Sequence, residues 1–158
     1  MMQITKRCVF IFCLMLLVLS PMTYAAKRAI PYQVLYQDSD HYSDVFANKT
    51  IMVIRDWNSY TDAVVKHSSD EIIDVNFSES QVVLIDMGNR PDTGYGLKVA
   101  RVLEFDDHIV VYTKFTVGSS SCGLFGQAIT NPIAIIKVDS QKEIIVREKF
   151  KSFECNDN

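Results

Sequence analysis

Val82 to Met87 is apolar at every position but Asp86. Consecutive side chains of a strand point to opposite faces, so a run without polar alternation reads as a central strand covered on both sides. Such a strand cannot lie at an edge. The rest of the chain has to supply its neighbours and both of its covers.

Downstream the period is two. Leu97, Val99, Leu103 and Phe105 alternate with Lys98, Ala100 and Glu104. After the turn Asp106-Asp107-His108, Val111, Phe115 and Val117 alternate with Tyr112, Lys114 and Thr116. The two stretches read as a long hairpin, 97–105 with 109–117. Pro132 opens a further strand through Val138, and Ile144 to Phe150 forms the last, with Ile144 and Val146 opposite Ile145, Arg147 and Lys149. Upstream, after a lead-in from Lys27, Tyr32, Val34 and Tyr36 suggest a short strand, and Thr50 to Ile54 another. One helix stands between them and the central run. Asn58 or Ser59 can cap it, Asp62 lies three residues after Ser59 as in a capping box, and Tyr60, Ala63, Val64 and His67 share a face. The predicted fold is mainly β (α+β): a twisted antiparallel sheet or small β-sandwich of five to seven strands with one packed helix.

Residues 1–25 read as a targeting segment. Lys6 and Arg7 precede the apolar run Cys8 to Leu19, which is short for a bilayer span, and Thr23-Tyr24-Ala25 offers small residues for cleavage after Ala25. An uncleaved anchor helix is the alternative. Cys13 follows Phe12, where a lipoprotein signal requires a small residue, so no lipid anchor is expected. The expected product is one β-rich domain over 26–158, with its core at about 50–150. It is exported, periplasmic or secreted, without stable membrane insertion. Without residues 1–25, which hold two basic side chains and no acid, 14 basic side chains remain against 19 acidic ones, a balance of −5. With no basic patch evident along the chain, nucleic acid and anionic membrane are poor candidates as partners.

Cys122 and Cys155 remain after cleavage, and in an oxidising compartment their default is a disulfide. Closing a loop of that length contributes about 3–4 kcal/mol in the chain-entropy model. The zinc or redox alternative lacks Cys-x-x-Cys spacing, and His41, His67 and His108 are scattered, so no metal or cofactor is expected. Gly118-Ser119-Ser120-Ser121-Cys122-Gly123 does not have the Gly-x-Ser-x-Gly spacing of a nucleophile elbow. Nothing in the chain encodes a recognisable reaction, and no catalytic residue is assigned.

What remains is the turn after the central strand, Gly88-Asn89-Arg90-Pro91-Asp92-Thr93-Gly94-Tyr95. Gly88 and Gly94 can adopt positive φ and Pro91 fixes its own. A turn so built is stiff and presents Arg90, Asp92, Thr93 and Tyr95 with little ordering cost on binding. Two readings stand: a partner-binding loop, or a hairpin corner whose Tyr95 packs on the core.

The order of features resembles the C-terminal domain of the PrcB-type protease-complex subunits of bacteria. The likeness is carried by Trp57, by Asp74-Val75-Asn76-Phe77-Ser78 against the family's Val-Asp-Phe-Ser, by Gly88, Arg90-Pro91 and Thr93-Gly94-Tyr95 against Gly-x-x-Pro-Thr-Gly-Gly-Tyr, and by Thr130-Asn131-Pro132 against Thr-x-Pro. It spans roughly 50–150, with Asp92 inserted before Thr93 and one glycine before Tyr95. The resemblance implies an exported, non-catalytic accessory domain that helps assemble or stabilise a partner protease. In shape alone, Asn89, Pro91 and Thr93-Gly94-Tyr95 are also similar to the Asn-Pro-Thr-Thr-Gly-Tyr loop of chagasin-like cysteine-protease inhibitors. The competing expectation is a structural or small-ligand envelope domain, with Tyr95, Tyr112 and Phe115 lining a groove or the core.

Overall fold

The chain runs β1 (Arg28–Ile30), β2 (Gln33–Asp38), β3 (Thr50–Ile54), α1 (Trp57–His67), β4 (Gln81–Asp86), β5 (Tyr95–Glu104), β6 (His108–Gly118), β7 (Ile133–Val138) and β8 (Glu143–Phe153). This computed structural model describes residues 27–39, 48–68, 71–118, 126 and 128–154. The targeting segment and the Cys122–Cys155 pair lie outside the described residues.

The strands form two four-stranded sheets, ordered β1-β5-β6-β8 and β2-β7-β4-β3. All pairs are antiparallel except β6 with β8, which run parallel. Val83, Ile85, Met87, Ala134, Ile136 and Val138 of the second sheet meet Leu97, Val99, Val102, Ile109, Val111 and Phe115 of the first. The other face of the second sheet, through Val82, Leu84, Ile133 and Ile135, packs under Tyr60, Ala63 and Val64 of α1 and under Val75. The result is the expected α+β class, a β-sandwich with one packed helix, in three layers. It accounts for the opening feature: β4 lies between β7 and β3 with one core on each face, and all six of its residues are buried. Each Val, Leu or Ile so buried contributes about 1.5–3 kcal/mol.

The expected hairpin is present as β5 and β6, with a change of phase. A bulge between Val99 and Arg101 takes Ala100 out of register, so Val102 replaces Leu103 in the inter-sheet core. An unbroken alternation had placed Leu103 there. A second irregularity, between Val34 and Tyr36, overturns the expected face of β2. Leu35 and Tyr36 turn to the helix side and Val34 is exposed, while the Tyr32 hydroxyl donates to the Val99 carbonyl at 3.0 Å. The lead-in holds a strand of its own: β1 pairs with β5 and brings the strand count to eight, above the expected five to seven.

Helix α1 starts earlier than its sequence suggests. Asp56 is the cap, with extended φ −143° and ψ 159°. Its carboxylate accepts from the Ser59 amide at 2.8 Å and the Ser59 hydroxyl at 2.7 Å. Those bonds hold the Asp56 carboxyl below the usual range. Asn58 and Ser59 are therefore inside the helix, because an aspartate two or three residues upstream satisfies the same orphan amides. The buried face is the expected one: Tyr60, Ala63, Val64 and His67.

One expectation is corrected by strand register. Lys98, Lys114 and Lys149 are consecutive cross-strand partners on β5, β6 and β8, and Arg101, Tyr112 and Arg147 form the neighbouring row. A basic patch invisible along the chain is assembled on the outer face of the first sheet.

Candidate functional site

The turn after β4 is anchored from below by a buried side-chain hydrogen bond. Asp86 ends β4 fully buried; its Oδ2 lies 2.7 Å from Nδ1 of His67, itself only 3% exposed. The other carboxylate oxygen accepts from the Gly88 amide at 2.7 Å. Gly88 has φ 72°, the left-handed region that an L side chain resists. It thereby turns its amide back onto Asp86. Gly94, expected to be similar, does not have positive φ. Its amide instead donates to Asp92 Oδ1 at 2.8 Å, closing a local Asx turn.

The turn is also pinned from the side. Arg90 and Thr130 exchange backbone hydrogen bonds at 2.6 and 3.0 Å, as an isolated antiparallel bridge. The Thr130 hydroxyl donates to the Asp92 carbonyl at 2.8 Å, and the Met87 amide donates to the Pro132 carbonyl at 3.0 Å. The Thr93 amide donates to the Gly126 carbonyl at 3.2 Å, and the Gly126 amide donates to the Thr93 hydroxyl at 3.0 Å. A Cβ on Gly126 would come within 3.3 Å of Thr93. Gly118 closes the far end by donating to the Gly94 carbonyl at 2.8 Å.

Side chains finish the arrangement. The Arg90 guanidinium lies 5.3 Å from the Phe115 ring centroid and 5.9 Å from that of Tyr95, and donates to the Met87 carbonyl. Tyr95 stacks on Phe115 at 5.9 Å, and Phe150 meets Phe115 edge-on at 5.2 Å. The four residues expected to contact a partner thus each have an internal role: Arg90 and Tyr95 through their rings and charge, Asp92 as an Asx acceptor, Thr93 as a tie to Gly126. Pro91 and Thr93 stand exposed at the tip, while Arg90, Asp92 and Tyr95 are half-buried. Tyr112 does not join Tyr95 and Phe115. It lies on the opposite face of its sheet beneath Arg101, at 4.7 Å, so the expected three-aromatic groove is not formed.

Sequence reasoning passed over His67 and Asp86, although the signal was available. Helical spacing placed His67 on the buried face, and Asp86 interrupts an apolar run. An ionisable group at a position patterned for burial has to find a partner. Above His67, β3 and α1 enclose a cleft of about 250 Å³ lined by Thr50, Met52, Ser59, Asp62, Ala63 and Lys66. Among the described residues no three of His, Cys, Asp and Glu come together as a metal-binding group, and no helix is long and apolar enough to cross a membrane.

These features define a helix-backed β-sandwich whose one glycine-rich turn is stitched to a second loop. Residues 81–139 match the family model described as PrcB C-terminal. The match starts at β4 and ends just past β7, so it takes in the turn, the hairpin and Thr130-Asn131-Pro132. Trp57 and 74–78 fall outside it. No curated protein and no solved structure matches the chain. Two of the segments that carried the resemblance, 88–95 and 130–132, far apart along the chain, are the two sides of the Arg90–Thr130 bridge.

Proposed function

We propose that this chain is an exported, non-catalytic binding module that docks on a protein partner, a protease in the first instance, through the turn 88–95. One observation carries the reading. The turn is fixed on three sides, by Asp86, by Thr130 and by Gly126, while its tip at Pro91 and Thr93 faces solvent. A loop already held in one conformation loses little entropy on docking. The half-exposed Tyr95 and the 60%-exposed Phe150 beside it supply the aromatic surface that interfaces favour. The match of 81–139 to the PrcB C-terminal family model supports a protease-associated role, and residues 1–25 support export.

The Cys122–Cys155 disulfide belongs to the same proposal. Gly118 and Phe153 are register partners at the ends of β6 and β8, so both chains leave the sheet side by side. Cys122 and Cys155 follow by four and two residues, within reach of the roughly 4.4–6.8 Å Cα separation a disulfide needs. The bridge would brace the loop that carries Gly126. A small-ligand role has weaker support: the cleft over His67 is about 250 Å³ and an open one at Arg28, Glu104 and Lys142 about 390 Å³, near or below the bottom of the roughly 300–1,000 Å³ range of ligand pockets.

Affinity capture from the native envelope or secreted fraction tests the proposal. Pro91→Arg at the tip is expected to lose the partner, by about ten-fold or more in affinity, with the thermal midpoint unchanged. Recovery of the same partners at the same yield with Pro91→Arg and with Tyr95→Ala would remove the turn from the interface.

A further inference from the structure

The outer face of the first sheet carries a patch of one sign next to the apolar row Leu103, Val110 and Ile145. Lys98, Arg101, Lys114, Arg147, Lys149 and Lys151 project from it, all exposed except the half-buried Lys114. Among the described residues none of the six forms an ion pair. By strand alternation the one acid on the same face is Glu143, at the far end beside His108. The remaining strand positions there are Gly96, Leu103, Val110, Tyr112, Thr116, Gly118, Ile145 and Phe153. A chain whose formal charge is −3 therefore concentrates six cations in a patch roughly 13 Å long and 10 Å wide, from the spacings of strands and residues.

We infer that this face is a docking surface for an anionic lipid bilayer, independent of the turn. Charge complementarity sets the sign of the partner, and the residue types choose its class. Four of the six cations are lysines, which protein–protein interfaces tend to exclude, whereas clusters of basic side chains are what anionic headgroups attract. Single-stranded nucleic acid needs exposed rings on which bases can stack; the one ring at the middle of this face, Tyr112, is covered by Arg101 at 4.7 Å. At the two ends of the basic rows stand Ile145 and Phe153, 38% and 37% exposed, placed to enter the headgroup boundary as the lysines meet phosphate.

Vesicle co-sedimentation of the full chain decides the matter. Vesicles of phosphatidylcholine alone are compared with vesicles of phosphatidylcholine and phosphatidylserine in equal parts. The ratio of the two affinities isolates the charge-dependent contribution from any binding by the apolar residues near the N-terminus. Each basic side chain contributes about five-fold near an anionic surface. Lys98→Gln/Lys149→Gln/Lys151→Gln is therefore expected to lower the ratio about a hundred-fold, Lys149→Gln alone about five-fold, and Lys66→Gln on α1 not at all. Salt at 1 M, where screening acts within about 3 Å, is expected to abolish the preference. Circular dichroism and the thermal midpoint verify that the variants fold; the single variants suffice if the triple one does not. Equal affinity of the wild type for both vesicles, or an undiminished ratio in the folded variants, overturns the inference. So does tighter binding to an oligothymidine than to the anionic vesicles, which would assign the face to nucleic acid.

Discussion

The turn at 88–95 and the basic face of the first sheet are built on opposite plans. In the turn the carboxylates and the threonine hydroxyl face other groups of the protein: Asp86 meets His67 and Gly88, Asp92 meets Gly94, Thr93 meets Gly126. On the basic face like charges are placed side by side, Lys98 against Lys114 and Lys114 against Lys149. Like charges directly opposite one another in a sheet are destabilising. One region uses its polar groups for its own rigidity. The other leaves six charges without an ion-pair partner among the described residues, at a cost to the fold, which is the arrangement expected where the compensating charge arrives from outside. Mutations should therefore move stability in opposite directions in the two regions.

The largest effect belongs to the support of the turn. His67→Ala leaves the buried Asp86 side chain with the Gly88 amide alone, and a buried polar group stripped of a partner costs about 1–3 kcal/mol. Urea unfolding should give a loss of that size, and hydrogen exchange should show faster exchange at the Gly88 amide. A loss under about 1 kcal/mol would mean that α1 and the turn are not joined through Asp86. Next in size is Gly88→Ala. At φ 72° an alanine carries a left-handed penalty of about 1–2 kcal/mol. Gly94→Ala meets no such backbone penalty, so the two glycines, alike in sequence, should separate in the same denaturation experiment.

On the basic face the sign reverses. Lys114→Gln removes the middle charge of the three-lysine row and is expected to stabilise the protein by about 0.2–1 kcal/mol at low salt. The gain should shrink as salt is added, since screening already relieves the repulsion. A destabilised Lys114→Gln at every salt concentration would show that the row is packed rather than repelled, and would erase the contrast between the regions.

The same two regions mark how far the sequence could be read. The layers were legible because burial leaves a local trace: β4 has no polar alternation since it has a core on each face, and α1 shows its buried stripe at helical spacing. The turn was legible as a place, since Gly88 and Pro91 restrict φ locally. The loop that holds it was visible only as a separate motif, Thr130-Asn131-Pro132. The basic face left no trace along the chain, because Lys98, Lys114 and Lys149 become neighbours only through register. The bulge at Ala100 helps set that register, and an inserted residue has no signature in a period-two pattern. His67 and Asp86 could have been inferred from the cost of burying charge, but their pairing is a tertiary fact.

Acid should separate the two regions by the smallest margin. Glu104 is held below its usual range by Lys142 and then Arg28, Asp107 by His108, and Asp139 by the Ser80 hydroxyl and then Lys137. A carboxyl lowered in the folded state contributes stability above its unfolded value, near 4.5 for Glu and 3.8 for Asp. It loses that stability as pH falls through the still lower folded values. Stability should therefore hold from neutral pH down to about pH 4 as far as these groups are concerned, then decline. These carboxylates are surface groups, so the decline owed to each is slight. Acid thus removes negative charge from these carboxylates without relieving the repulsion along the lysine row. Glu104→Gln should flatten the acid limb of a stability–pH curve, and Lys114→Gln should raise the whole curve without changing its shape. A Lys114→Gln curve that converged with wild type in acid would show that the face is balanced by nearby carboxylates after all.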